Sequence, residues 1–446
     1  MTVTENPFLT GNYGPVTQEL TATDLPLTGT IPQELRGQYL RTGPNPYRMP
    51  EGPYHWFMGD GMVHGVDLRD GRASWYRNRW VRTDEVARAM GEDPVSGPVP
   101  PMYDASNTNV LRHAGRVLSL TEGSMPYELS RELDTLGRLD FGGPLPTGLT
   151  AHPKIDPVTG ELHAFSYWFS EPYVIYHLID ATGRLVRSEP ITLPRSVMMH
   201  DFAITRSRVL FFDLPVVFDL AVQPFPFRWD ADSPARIGVM PRDGGDADVQ
   251  WIDIDPCYVF HPMNAYDDAD GSIVVDVPRH PTMFATEGEL VEGPNRGGPP
   301  ALHRWTIDLA AGKVRDELVD ARGQEFPRVN ETLLASKHRY GYANGVETAD
   351  AFDGACYLKH DFDRGTAEVH EFGAGRAPGE FVFVPSADAT NEDDGWLMGF
   401  VYDAGTDRSE FQVLDAHDFT AAPAARVQLP QRVPFGFHGN WVADAS

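Results

Sequence analysis

The sequence predicts an all-β protein, and three observations carry that reading. Short β-rich runs flank glycine-bearing turns repeatedly, helical periodicity is scarce, and no linker rich in serine, glycine or charge divides the chain. The turns come in order. LRDGRASWY (68–76), RHAGRVLSL (112–120), LDTLGRLDF (133–141) and DPVTGELHAFSYW (156–168) are followed by IDATGRLVRS (179–188), DADGSIVVDV (268–277), DLAAGKVRDEL (308–318) and DFDRGTAEVHEF (361–372). Each is read as placing glycine where a tight turn needs positive φ. One short helix fits TDEVARAMGED (83–93), with Thr83 as its N-cap. The Pro/Gly clusters VSGPVPP (95–101) and EGPNRGGPP (292–300) read as long loops.

So many hairpins without a break favour a closed radial array of four-stranded blades over a sandwich. Seven blades in 446 residues leave about 64 residues for each, enough for elaborate loops. The expectation is one propeller domain spanning residues 1–446.

Composition narrows the functional classes. Hydrophobic residues make up 41% and charged residues 23%, ample for a core. Lys and Arg number 37 against 64 Asp and Glu, a net charge of −27, which excludes a phosphate-binding surface and hence nucleic acid. The two cysteines, Cys257 and Cys356, stand far apart and in no metal spacing, so a reducing cytoplasm is expected. MTVTENPFLTGNYGPV at the N-terminus lacks the basic-then-apolar pattern of a signal peptide. No uncharged apolar run reaches the roughly 18 residues of a membrane span.

Four of the fifteen histidines stand out. His152 (LTAHPKIDP), His200 (VMMHDFAI), His261 (YVFHPMNAY) and His438 (FGFHGNW) each follow an apolar or small-residue run and precede Pro, Asp or Gly. That fits the inner end of a strand turning a side chain toward a propeller axis. Gathered there, four neutral imidazoles would suit a borderline transition metal such as iron. The ordinary reading of any one of them is a surface or satisfied core residue, and His113, His280, His338, His360 and His417 are read so. A metal-bound imidazole usually donates its other N–H to a carboxylate. Glu122, Glu325 and Glu380, each against apolar neighbours, are the candidates for that role.

Collinear motifs then identify a resemblance. LRGQYLRTGPNPYRMPEGPYHWFMGDGMVHGVDLRDG (35–71), YRNRWVRT (76–83), SNTNV (106–110), TAHPKIDPVTGEL (150–162) and MMHDFAIT (198–205) open the series. FHPMNAYDD (260–268), EFPRVN (325–330), GEFVFVP (379–385), EDDGWL (392–397) and RVPFGFHGNW (432–441) complete it. Across nearly its whole length the chain resembles the carotenoid cleavage oxygenases, non-haem iron enzymes that include stilbene-cleaving members. The resemblance implies a seven-bladed β-propeller with a loop and helical cap over an axial Fe(2+), one per chain. It implies His152, His200, His261 and His438 as iron ligands, with Glu122, Glu325 and Glu380 orienting His200, His261 and His438 respectively. It also implies that Thr108 crowds an open coordination position; the other reading of Thr108 is an ordinary strand residue. Met58 and Asp267 depart from the usual pattern, where Asp and Glu are commoner.

The implied reaction adds O2 across an electron-rich C=C bond and yields two carbonyl fragments. Stilbene- and phenylpropene-cleaving relatives commonly carry Lys just before the glutamate matching Glu122; here the residue is Thr121. That tilts the reading toward a lipophilic apocarotenoid or other polyene, with stilbenes or phenylpropenes of the isoeugenol type as the alternative. A metal-dependent isomerase or hydrolase on the same scaffold is a third reading, and a propeller used only as a binding platform a fourth. FFDLPVVFDLAVQPFPF (211–227) reads as a core strand pair with a loop; its alternatives are a tunnel mouth or a weak peripheral membrane contact.

Overall fold

The structure, a computed structural model, describes residues 6–99, 103–285, 298–348, 354 and 356–444. The loop expected at 292–300 therefore lies largely outside the described residues, and that at 95–101 ends outside them. The chain forms two compact units: Met1–Leu149 with Ala355–Tyr357 and Glu368–Ser446, and Thr150–Gly354 with Leu358–Ala367.

The first unit holds three antiparallel sheets. One runs in the order Leu20–Ala22, Arg72–Trp80, Gly61–Arg69, Gly37–Pro44, Gly439–Ala443, so the last strand of the chain joins a sheet otherwise made near its start. The register pairs Arg41 with Gly439 and Gly37 with Ala443. A second sheet repeats the device, pairing Leu27–Gly29 with Ala425–Gln428. The third is the meander Asn109–His113, Arg116–Leu120, Tyr127–Leu129, Thr135–Arg138. Between the first and third lies the expected helix, Asp84–Met90. Thr83 Oγ1 accepts from Val86 N, and Gly91 closes it at φ 78°. Val86 packs with Val16, Met62 and Trp80, which ties the helix to the sheet beneath.

The second unit holds the meander Lys154–Ile155 to Leu185–Ile191, then Ala203–Ile204, Arg208–Asp213, Ala235–Pro241 and Gln250–Ile254. A seven-stranded sheet follows, from Asn264–Asp267 to Thr366–Glu371, in which the long strand Lys313–Arg328 serves two successive meanders. With the seven-stranded sheet counted as two meanders, the described residues offer seven meanders, the number of blades that the sequence predicts; residues 356–357 and 368–371 at the end of that sheet belong to the first unit. The segment 211–227 forms the expected strand pair, Val216–Phe218 with Phe227–Trp229. Phe211 to Val217 are buried, and Leu220 at the loop tip is exposed. Among the described residues, no helix is long and apolar enough to cross a membrane.

Seven of the eight expected turns carry their glycine at positive φ: Gly71, Gly115, Gly160, Gly183, Gly271, Gly312 and Gly365. The exception is LDTLGRLDF. There the chain reverses earlier, at Leu133 (φ 67°), and Gly137 lies inside the strand Thr135–Arg138. A Cβ at Gly137 would stand 2.9 Å from the Ser96 carbonyl oxygen, so this glycine admits a neighbouring backbone instead of turning the chain.

The meanders bury several imidazoles as neutral hydrogen-bonded groups. His64 Nδ1 meets the Tyr76 hydroxyl at 2.9 Å, and His163 Nδ1 meets the Tyr176 hydroxyl at 2.6 Å. Burial pushes His177, His338 and His360 down to about 4 and His163 down to about 3. Such groups stay neutral when folded but protonate near 6.5 when unfolded, so the unfolded state binds more protons in acid. Folding stability is therefore expected to decline as pH falls from about 6.5 towards 4. Thermal melts of the metal-free protein across that range should show Tm dropping well before ordinary carboxylates titrate.

Candidate metal centre

Each of the four singled-out histidines sits just ahead of a strand. His152 precedes Lys154–Ile155, His200 precedes Ala203–Ile204, His261 precedes Asn264–Asp267 and His438 precedes Gly439–Ala443. Each enters its strand after a buried apolar approach, as the sequence pattern suggests.

The second unit brings three of them together. Ring centroids lie 4.5 Å apart for His152 and His200, and 5.0 Å for His261 with each of the others. His200 Nε2 and His261 Nε2 are 3.1 Å apart. Two donors on one ion at about 2.1 Å, held at a right angle, would stand ~3 Å apart. The tautomer of His261 is set from behind. Its Nδ1 lies 2.7 Å from Glu325 Oε2, and Glu325 is almost fully buried. Burial alone would raise the Glu325 carboxyl, but His261 and His280 hold it below the usual carboxylate range, as an acceptor. His261 must then donate from Nδ1, leaving the Nε2 lone pair facing His200. A bulge between Glu325 and Arg328, with Phe326 at φ 53°, shapes this corner, and the Phe326 ring stacks on His261 at 5.4 Å. His152 is steadied by Thr150, whose Oγ1 accepts from its backbone N–H at 2.9 Å.

The first unit builds the surroundings of His438 by the same logic. His438 Nδ1 meets Glu380 Oε1 at 3.0 Å, and Glu380 Oε2 accepts from Gly439 N at 2.9 Å. The His438 backbone N–H donates to the Thr108 carbonyl, and its carbonyl accepts from Thr42 N. Thr108 is thus a direct neighbour of His438, with its hydroxyl bonded to Asn107 and Thr121. A Cβ on Gly436 would stand 2.9 Å from the Gly43 Cα, so the chain here runs backbone against backbone. Phe437 stacks on Trp56 at 4.4 Å, and Phe435 packs on Tyr13 and Trp56. Glu122 is half-buried in this unit, directly after Thr121. His152, His200, His261 and His438 form a group whose ring nitrogens could hold a metal ion. A set of neutral nitrogens, two of them backed by buried carboxylates, suits a borderline divalent transition metal.

One residue of this site escapes the sequence reading. His280, taken as an ordinary histidine after VPR, is buried and places Nε2 3.0 Å from Glu325 Oε1. No local pattern announces it, because the pairing spans 45 residues. His417 is the expected polar-turn residue, exposed beside Asp393 and Asp394. Asp267, one of the two departures from the usual pattern, bonds Thr205 and Ser207, and the other, Met58, is exposed.

Antiparallel meanders carrying carboxylate-backed histidines define an all-β protein with histidines that could hold a metal ion. Similarity to known proteins narrows that class. The family model described as RPE65, retinal pigment epithelial membrane protein, matches residues 13–443. The carotenoid cleavage oxygenase of Mycobacterium tuberculosis is 44% identical, over 98% of this chain and 97% of that protein. The carotenoid 9,10(9',10')-cleavage dioxygenase of Crocus sativus is 33% identical, over 98% and 89%. Among solved structures, the lignostilbene dioxygenase of Pseudomonas brassicacearum superposes with a TM-score of 0.88 at 28% identity, covering 99% of both chains. Cobalt-substituted apocarotenoid oxygenase of Synechocystis gives 0.85 at 29%, covering 96% and 97%. The chain belongs to the carotenoid cleavage oxygenase family, enzymes that cleave carbon–carbon double bonds oxidatively, and has that family's seven-bladed propeller fold.

Proposed function

We propose that this protein is an Fe(2+)-dependent dioxygenase, one iron per chain, that cleaves a C=C bond of an apocarotenoid or related polyene into two carbonyl products. The observation that carries the reading is the histidine group with its buried glutamates. In this reading His152, His200, His261 and His438 are the ligands, Glu122, Glu325 and Glu380 orient His200, His261 and His438, and Thr108 crowds an open position. Bound iron would supply the electron chemistry that lets dioxygen react with an alkene. The chain supplies the rest. Glu325 and Glu380 accept the Nδ1 protons and so aim the Nε2 lone pairs, while the Phe260 and Phe326 rings pack against His200 and His261.

The substrate tilt rests on Thr121. It is buried, and its hydroxyl is bonded to Thr108 and Asn107, so no cation stands there to meet a phenolate. Cleavage of stilbenes or phenylpropenes by the same chemistry is the second reading, favoured by the likeness to lignostilbene dioxygenase. Residues 1–446 are read as one propeller domain. We read the protein as cytoplasmic; burial pushes the Cys257 thiol up to about 12, which keeps it protonated.

The purified protein is expected to hold about one iron per chain and to consume O2 with a polyene or stilbene. A mass-spectrometric product screen with apocarotenals, resveratrol and isoeugenol side by side decides between the two substrate classes. Zinc or no metal, together with no O2 uptake across that panel, would sink the oxygenase reading.

A further inference from the structure

We propose that His280 is a positioning residue for the metal centre, holding His261 both through Glu325 and through the backbone that delivers it. This rests on the ligand assignment above and adds a residue to it. Both oxygens of the Glu325 carboxylate are engaged. Oε2 accepts from His261 Nδ1 at 2.7 Å and from Phe326 N at 2.5 Å, while Oε1 meets His280 Nε2 at 3.0 Å. With Glu325 as acceptor, His280 must donate from Nε2. Its Nε2–H therefore fixes the plane of the carboxylate, and that plane fixes the ring of His261.

The second hold is on the main chain. His280 N donates to the Tyr258 carbonyl at 2.8 Å, and Tyr258 N donates to the His280 carbonyl at 2.9 Å. Tyr258 lies three residues before His261, on the segment that carries it to the site. The Phe260 ring stands edge-on to His280 at 5.3 Å and edge-on to His200 at 4.9 Å. His280 thus touches the carboxylate, the backbone and the aromatic spacer that together place His261. A leucine would fill the space but leave Glu325 Oε1 without its donor, so that the carboxylate is held through Oε2 alone. A glutamine could still reach Oε1 with its amide N–H, whereas an asparagine is too short.

The test uses the full-length protein loaded with Co(2+), reading affinity by chelator competition and ligand field by the visible absorption bands. H280L and H280N are expected to weaken Co(2+) binding about tenfold or more and to shift the bands, while H280Q stays within about threefold of wild type. H177L is the control for general loss of a buried histidine, since His177 bonds Ser166 and Ser188 instead. It should lower Tm without moving affinity or spectrum. Wild-type affinity and spectrum in H280L would overturn the proposal, as would an equal effect in H177L. Should H280L fail to fold, the contrast between Gln and Asn carries the test, and equal affinities there would overturn it. Absence of Co(2+) uptake by the wild type would instead overturn the ligand assignment itself.

Discussion

Ending the chain at Phe437 is expected to abolish metal binding and to leave a protein that no longer melts cooperatively. The segment removed contains more than a ligand. Gly439–Ala443 pairs along Gly37–Arg41, and every residue of the partner strand Gly37–Pro44 is buried. Buried backbone groups that lose their partners cost about 1–3 kcal/mol each. Losing buried Val442 costs a further ~2 kcal/mol. Against a typical stability of about 5–15 kcal/mol, those losses are enough to unfold the first unit. Glu380 is also left buried with neither His438 nor Gly439 to donate to it. The point variant His438→Ala separates the two effects. It keeps the strand and should retain a cooperative melt, lowered by several degrees, while metal content falls to near zero. Calorimetry and metal analysis on the same preparations check both. A truncated chain that melts like wild type would show that the terminal strand contributes little.

The contrast between what the sequence reveals and what it hides follows from the range of each interaction. A turn glycine is a local device, so Gly71 or Gly183 could be read from three or four neighbours. Gly137 has the same local appearance, yet it is in a strand because the Ser96 carbonyl, forty-one positions away, approaches it. His438 drew notice because an imidazole set among phenylalanines near the end of a chain has no obvious local use, and the collinear motifs then gave it a role. His280 offered neither signal. Its burial and its partner are decided when the Glu325 strand reaches it in the folded unit. The His64–Tyr76 and His163–Tyr176 pairs were invisible for a milder reason: each is a cross-strand contact whose register only the fold sets.

Replacing His261 with alanine is expected to reduce metal affinity by orders of magnitude, more than any change behind the ligands. A lost nitrogen donor cannot be compensated by Glu325, which would have to abandon Phe326 N and His280 to reach forward. The same substitution should lower stability by about 1–3 kcal/mol, because Glu325 Oε2 stays buried while one of its donors disappears. That second effect can be isolated. In Glu325→Gln the amide removes the buried charge, so His261→Ala in that background should cost less than it does in the wild type. A double-mutant cycle on the metal-free protein measures the difference, with a coupling of about 1 kcal/mol or more expected for groups in direct contact. Strict additivity would mean that the carboxylate and imidazole are neighbours without being partners. Retention of full metal binding in His261→Ala would remove this residue from the ligand set and leave the His261–Glu325–His280 chain a purely structural element of its blade.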